Sequence, residues 1–161
     1  MIRKAELRDA HACVEIMNQA IETRCNAFIE PFNETAGALW YDQLLQNSEL
    51  VLCYVFQGLV VAWGSLTPYR KGRGALAKVS EITFYVHTDF HRKGIAQALA
   101  KQLEIEARAM NKSHLMAILL DDNIGSKALL EKLNYTSWGH LPAIADFGNE
   151  VKGQVYMRKE I

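Results

Sequence analysis

The sequence carries no excess of charge of either sign: 18 Lys and Arg face 18 Asp and Glu over 161 residues. That balance removes the general electrostatic pull toward nucleic acid or anionic membrane, so any bound anion must be held by a local site. Cysteine is scarce. Cys13, Cys25 and Cys53 are odd in number and widely spaced, with no CxxC pair or Cys/His cluster. This excludes a disulfide framework and a structural zinc site, and it suits thiols kept reduced; no metal is expected. No apolar stretch approaches the ~20 residues that cross a bilayer. Met1–Glu6 is polar from the start, without the apolar core of a secretory leader. Proline occurs only three times, and no linker, repeat or low-complexity tract interrupts the chain. Residues 1–161 therefore read as a single domain working in the cytoplasm. Two phosphate-binding signatures are also missing, GxxxxGK[ST] and GxGxxG, which argues against nucleotide-binding loops of those kinds.

What is present is patterned. Ile2–Lys4 reads as a short strand. Asp9 is positioned to cap a helix over 10–21, whose Ala10, Cys13, Val14, Met17, Ala20 and Ile21 form one apolar stripe. A second helix is predicted over 35–46, with Leu39, Trp40 and Leu44 inward. Leu50–Gln57 and Leu59–Leu66 read as strands joined at Gly58, and Pro68 closes the second. Tyr69–Gly74 forms a basic loop. In Val79–Val86, Glu81, Thr83 and Tyr85 face one side of a strand, and Ser80, Ile82, Phe84 and Val86 the other. The clearest helix runs from Gly94 to Met110. His114–Leu120 is an apolar run suited to a strand covered on both faces. A short helix over 124–133 precedes Asn134, which can take a left-handed stop, and Ser137–Leu141 and Gln154–Arg158 are further strand material. The order β-α-α-β-β-β-α-β-α-β-β predicts an α/β fold with a mostly antiparallel sheet.

The stretch from Val86 to Ala96 carries the chemistry. A strand end passes through a polar, basic loop into a helix that starts on small residues. Backbone N–H groups at a helix start are unpaired, and the dipole adds partial positive charge there, so phosphate oxygens can be held. Arg92 and Lys93 add cations, while Gly94 and Ala96 allow close approach to the backbone.

On these residues the chain resembles the GNAT acetyltransferase superfamily, and within it the phosphinothricin N-acetyltransferase-like branch. Asn18, Ile21-Glu22-Thr23, Phe28, Glu81–Val86, His91–Ala96, Asn123, Ser126, Leu133-Asn134-Tyr135 and Gly139–Pro142 follow the branch in order and spacing. The resemblance implies a GNAT fold in which strands 79–86 and 114–120 run parallel and splay apart after Val86. It implies acetyl-CoA as the acetyl donor, its pantetheine arm lying in the gap like an added strand. His91, Arg92, Lys93, Gly94, Ile95 and Ala96 would hold the pyrophosphate, and Asn123 and Ser126 the arm. Backbone N–H near Tyr85 or Val86 would polarise the thioester carbonyl. With the resemblance, Glu81 is the candidate base for the acceptor amine; alternation alone favours its pairing with Arg70, Arg73 or Lys78 at the sheet surface. Phe28, Glu30, Tyr69, Arg70, Arg73 and Asp146 are candidates for the acceptor pocket, the arginines for a carboxylate or phosphinate.

The sequence departs from the branch in places. His91 stands where Gln or Arg is usual, and a neutral ring offers fewer donors. Leu130 stands where a Tyr or His would protonate the departing thiolate, leaving Tyr135, His140 or an unassisted thiolate. The tail over 146–156 lacks a Trp-His-Asp-like element. The expected activity is acetyl transfer to a small amino acid or analogue of the phosphinothricin, methionine sulfone or methionine sulfoximine type, by a homodimer. The alternatives are a GNAT acting on a polyamine, aminoglycoside or protein N-terminus, a non-catalytic acyl-CoA-binding module, and a nucleotide-binding regulatory domain. Trp40, Trp63 and Trp138 read as core or interface, Cys53 as packing, and His11, His87 and His114 as bystanders.

Overall fold

Strong period-2 alternation between residues 50 and 86 builds an antiparallel meander, and the later helices and strands wrap onto its edge and faces. A computed structural model describes all 161 residues. Strand β1 (Ile2–Lys4) leads through a single 3-10 turn into helices α1 (Ala10–Glu22) and α2 (Glu34–Asn47). Strands β2 (Leu50–Phe56), β3 (Leu59–Pro68) and β4 (Val79–Val86) follow, then α3 (Ile95–Ala109), β5 (His114–Leu120), α4 (Ile124–Lys132), β6 (Thr136–Asp146) and β7 (Val151–Glu160). They form one seven-stranded sheet in the order β1-β2-β3-β4-β5-β7-β6, in which only β4 and β5 pair in parallel. No helix is long and apolar enough to cross a membrane.

Two apolar layers cover the sheet. On one face Leu99, Leu103 and Ala107 of α3 and Leu130 of α4 pack on Leu66, Ile82, Leu115 and Met157. On the other, Cys13, Ile16 and Met17 of α1 and Tyr41 of α2 pack on Cys53 and Trp63. The β2–β3 turn sits at Gln57 and Gly58, both at positive φ (49° and 83°), the geometry that matches hairpin twist.

Several expectations need correction. Asp9 does not cap α1: its carboxylate, only 4% exposed, takes both guanidinium nitrogens of Arg3 at 2.7 Å and the Glu6 N–H at 2.8 Å. A buried carboxylate is satisfied better by that fork than by two helix N–H groups. Leu39 faces solvent, and Tyr41 occupies the inward position of α2, because Gly37 meets Val14 of α1 and sets the helix's orientation. Trp138, read as core or interface, is not core: it lies exposed beneath the Arg158 guanidinium, which is 4.2 Å from its ring centre. Strands β6 and β7 run well past the predicted ends, since bulges between Ser137 and Gly139 and between Leu141 and Ala145 break the alternation without ending the pairing.

Candidate active site

The site begins where β4 and β5 part. Their pairing covers only Val79↔His114, Ser80↔Leu115 and Glu81↔Met116, so the strands separate after Glu81 rather than after Val86. Tyr69 N–H bonds the Val79 carbonyl, and His87 N–H bonds the Val61 carbonyl. By antiparallel alternation the odd-numbered residues of β4 are therefore committed to β3, and Phe84 and Val86 turn N–H and C=O into the gap. Tyr85's backbone is spent on Trp63, so Val86 is the residue of that pair whose N–H faces the opening.

The gap widens into a cleft of about 600 Å³, lined on its strand side by Phe84, Tyr85 and Val86. His91, Arg92, Gly94, Ile95 and Ala96 form its floor, and Asn123 and Ser126 its far wall. The floor follows from local geometry. Gly94 takes φ 77° as the residue before α3, a left-handed conformation natural to glycine, and Arg92 is also left-handed at φ 58°. No backbone N–H from residue 92 to residue 97 has a protein acceptor; the first helical bond runs from Ala98 N–H to the Gly94 carbonyl. Six successive N–H groups at a helix start form an anion cradle. Nothing lies within 4 Å of where a Gly94 Cβ would stand.

The individual side chains divide. His91 points its Nε2 at the Val86 carbonyl, 2.9 Å away. Lys93 is not a lining residue: its Nζ donates to the Asp89 carbonyl at 2.9 Å and sits over the Phe90 ring. Asn123 caps α4, its Oδ1 accepting the Ser126 N–H at 3.2 Å. Glu81 makes no ion pair with Arg70, Arg73 or Lys78 and no side-chain hydrogen bond. Burial alone pushes its carboxyl above the ordinary range. The Tyr85 phenol is raised to about 12, chiefly by burial.

The proposed acceptor residues are not gathered into this cleft. Phe28 is exposed and packs edge-on against Phe32, while Glu30, Arg70 and Arg73 are exposed without ion pairs and Tyr69 is half-buried. Asp146 accepts the Gly148 N–H at 2.8 Å, closing the β6–β7 turn. Neither substitute for a general acid reaches the cleft. Tyr135 is buried in the core beside Glu104, and His140 pairs with Asp121 at 2.9 Å on β6. Leu130 is core.

Several lining residues were not legible beforehand: Gln19, Thr23 and Cys25 from α1 and its exit, Phe84, Phe90 and Leu129. The alternation of β4 contained the signal for Phe84. Gln19 stood on the polar side of a helix read only for its apolar stripe. His87, read as a bystander, contacts Gln19 at 2.9 Å.

The chain matches the Acetyltransferase (GNAT) family over residues 17–135. It is 30% identical over 146 residues to YwnH of Bacillus subtilis (strain 168), provisionally named a phosphinothricin acetyltransferase, covering 90% of this chain and 89% of that protein. It is 28% identical over 144 residues to the L-methionine sulfoximine/L-methionine sulfone acetyltransferase of Salmonella typhimurium, covering 89% and 84%. A crystal structure of a provisionally named phosphinothricin N-acetyltransferase superposes with a TM-score of 0.91 at 27% identity, covering 99% of this chain and 97% of that one. The splayed β4–β5 pair and the unpaired cradle opening α3 thus stand in a chain that belongs to the GNAT acetyltransferase family.

Proposed function

We propose that residues 1–161 act as one catalytic domain that transfers the acetyl group of acetyl-CoA directly to the amine of a small amino acid or analogue, of the phosphinothricin, methionine sulfone or methionine sulfoximine type. One observation carries the reading: the free edge of β4 and six unpaired N–H groups open onto the same cleft. An extended amide-bearing arm fits the first, and a pyrophosphate fits the second.

Acetyl-CoA supplies the activated acyl group as a thioester. The N–H groups of residues 92–97, with Arg92 beside them, hold phosphate oxygens. Asn123 and Ser126 line the wall along the arm. Val86 N–H is free to donate to an acyl oxygen that gains negative charge during attack. Glu81 takes the proton that an ammonium must lose before it can attack, and its burial keeps the carboxylate basic enough for that task. Glu81 lies five residues before Val86, about 17 Å along an extended strand, so the proton travels through water. Tyr69, Arg70, Arg73, Phe28 and Glu30 remain the acceptor candidates although they lie outside the cleft lining, and the two exposed, unpaired arginines would supply the charge a carboxylate or phosphinate calls for. With Leu130 in place of a Tyr or His, and with Tyr135 and His140 held away from the cleft, CoA would leave as the thiolate. Most of the acceleration comes from holding amine and thioester together.

The protein is further proposed to work in the cytoplasm as a homodimer, supported by the exposed edge strand β6 with Trp138 and Ile144 facing solvent. Light scattering at micromolar concentration measures that state, and a monomer mass rejects it. The activity itself is tested by acetyl-CoA-dependent thiol release with phosphinothricin, methionine sulfone, methionine sulfoximine, common amino acids, spermidine and an aminoglycoside. Release with the amino-acid group alone supports the reading. Release with spermidine or the aminoglycoside moves the acceptor class. Binding of acetyl-CoA without turnover on any amine favours a sensor instead.

A further inference from the structure

Gln19 lies near the C-terminal end of α1 and lines the cleft. Its carboxamide reaches off the helix to the segment that follows β4. Oε1 accepts the Thr88 N–H at 3.0 Å, and Nε2 lies 2.9 Å from Nε2 of the His87 ring. Thr88–Phe90 is a single 3-10 turn that leads straight into the unpaired N–H run at 92–97. Both ends of one side chain therefore grip the entry to the phosphate cradle from a different element.

The Gln19 oxygen is committed to Thr88, so its NH₂ faces the His87 ring. The other ring nitrogen, Nδ1, accepts the Asp89 N–H at 3.3 Å and lies 3.9 Å from the Asp89 carboxylate. From α1, Glu15 also faces Nε2, at 3.6 Å. Phe90 packs edge-on to the ring. From β3 only the Val61 carbonyl approaches, on the His87 backbone. Glu15 and Asp89 are the charged groups around the imidazole.

We propose that Gln19 is a positioning residue for the phosphate-binding loop, acting through Thr88 and His87. The inference rests on the reading of the cleft as the acetyl-CoA site.

The test is titration of acetyl-CoA into the whole protein and into Gln19→Leu and Gln19→Glu. Gln19→Leu keeps the volume and loses both bonds; acetyl-CoA affinity falls about tenfold or more, and the loss appears in KM for acetyl-CoA rather than in KM for the amine. Gln19→Glu keeps the oxygen that accepts the Thr88 N–H and recovers part of that loss. Wild-type affinity in Gln19→Leu overturns the proposal, as does a Gln19→Glu affinity no tighter than that of Gln19→Leu. If Gln19→Leu does not fold, Gln19→Asn, one methylene too short to reach both partners, takes its place in the comparison. A wild-type protein that binds no acetyl-CoA overturns the cofactor reading and this inference with it, whereas wild-type binding with an unaffected Gln19→Leu overturns this inference alone.

Discussion

Replacing Glu81 with Gln removes a proton acceptor and leaves almost everything else in place. The two side chains share shape and volume, and the backbone at 81 stays paired with Thr67 of β3 and Met116 of β5. No ion pair or side-chain hydrogen bond of Glu81 is lost, so the structural effect reduces to removing a half-buried charge. A positioned base contributes roughly 10²–10⁴ in rate, and kcat should fall by that factor, about 3 to 5 kcal/mol of barrier, while acetyl-CoA affinity holds. The wild-type rate should also fall as pH drops through the raised Glu81 value, a limb the variant lacks. Stability should move the opposite way. Burial raises the folded-state value of Glu81 above its unfolded value, so the native state holds the proton more tightly than the unfolded chain. Wild-type stability therefore declines as pH rises through that window. Gln carries no such penalty, and at neutral pH Glu81→Gln should melt higher than wild type. Thiol-release kinetics, acetyl-CoA titration and calorimetry on the same preparations measure the three effects. Equal losses of turnover and acetyl-CoA binding refute the role as base, and a lowered Tm refutes the picture of an uncompensated half-buried carboxylate.

Gly94→Ala should cost about 1–2 kcal/mol from left-handed strain alone, because a Cβ there meets no neighbour. Acetyl-CoA affinity should fall tenfold or more as that Cβ occupies phosphate space; unchanged affinity in a titration removes the loop from the site. Asp9→Asn strands the Arg3 guanidinium in a part-buried pocket and should lose about 3–5 kcal/mol in denaturant unfolding. The Arg3 hydrogen bonds hold Asp9 below the ordinary carboxylate value, so this stability is present above that value and is lost as pH falls through the folded-state one; the variant should lack that acid limb. Arg73→Ala should raise KM for a carboxylate-bearing acceptor and leave Tm unchanged, since the side chain is exposed and unpaired. An unchanged KM returns Arg73 to the solvated surface.

Much of this architecture is legible in local pattern, because period and capping are local properties. The alternation of 79–86, the apolar spacing of 95–109 and the run at 114–120 each identify an element from its own residues, and Gly94 with Ala96 marks the cradle because small residues there have a steric meaning wherever the chain goes. Legibility failed where a residue's surroundings come from elsewhere. Pro142 and the left-handed Ala143 interrupt the alternation of β6, yet pairing with β7 carries the strand across. Leu39 and Tyr41 exchange places because Val14 of another helix fixes how α2 lies. The point where β4 and β5 part depends on how far two strands, nearly thirty residues apart in the chain, hold their register. Gln19 and His87 are 68 residues apart and carry no mutual signature, since a side-chain hydrogen bond leaves no periodicity behind. The sequence by itself determined the elements, their order and the loop able to hold phosphate, which are matters of backbone geometry and residue size. Only the tertiary structure decided which backbone groups remain unpaired, which carboxylate sits half-buried without a partner and which side chains meet across the cleft, because each depends on what the rest of the chain brings alongside.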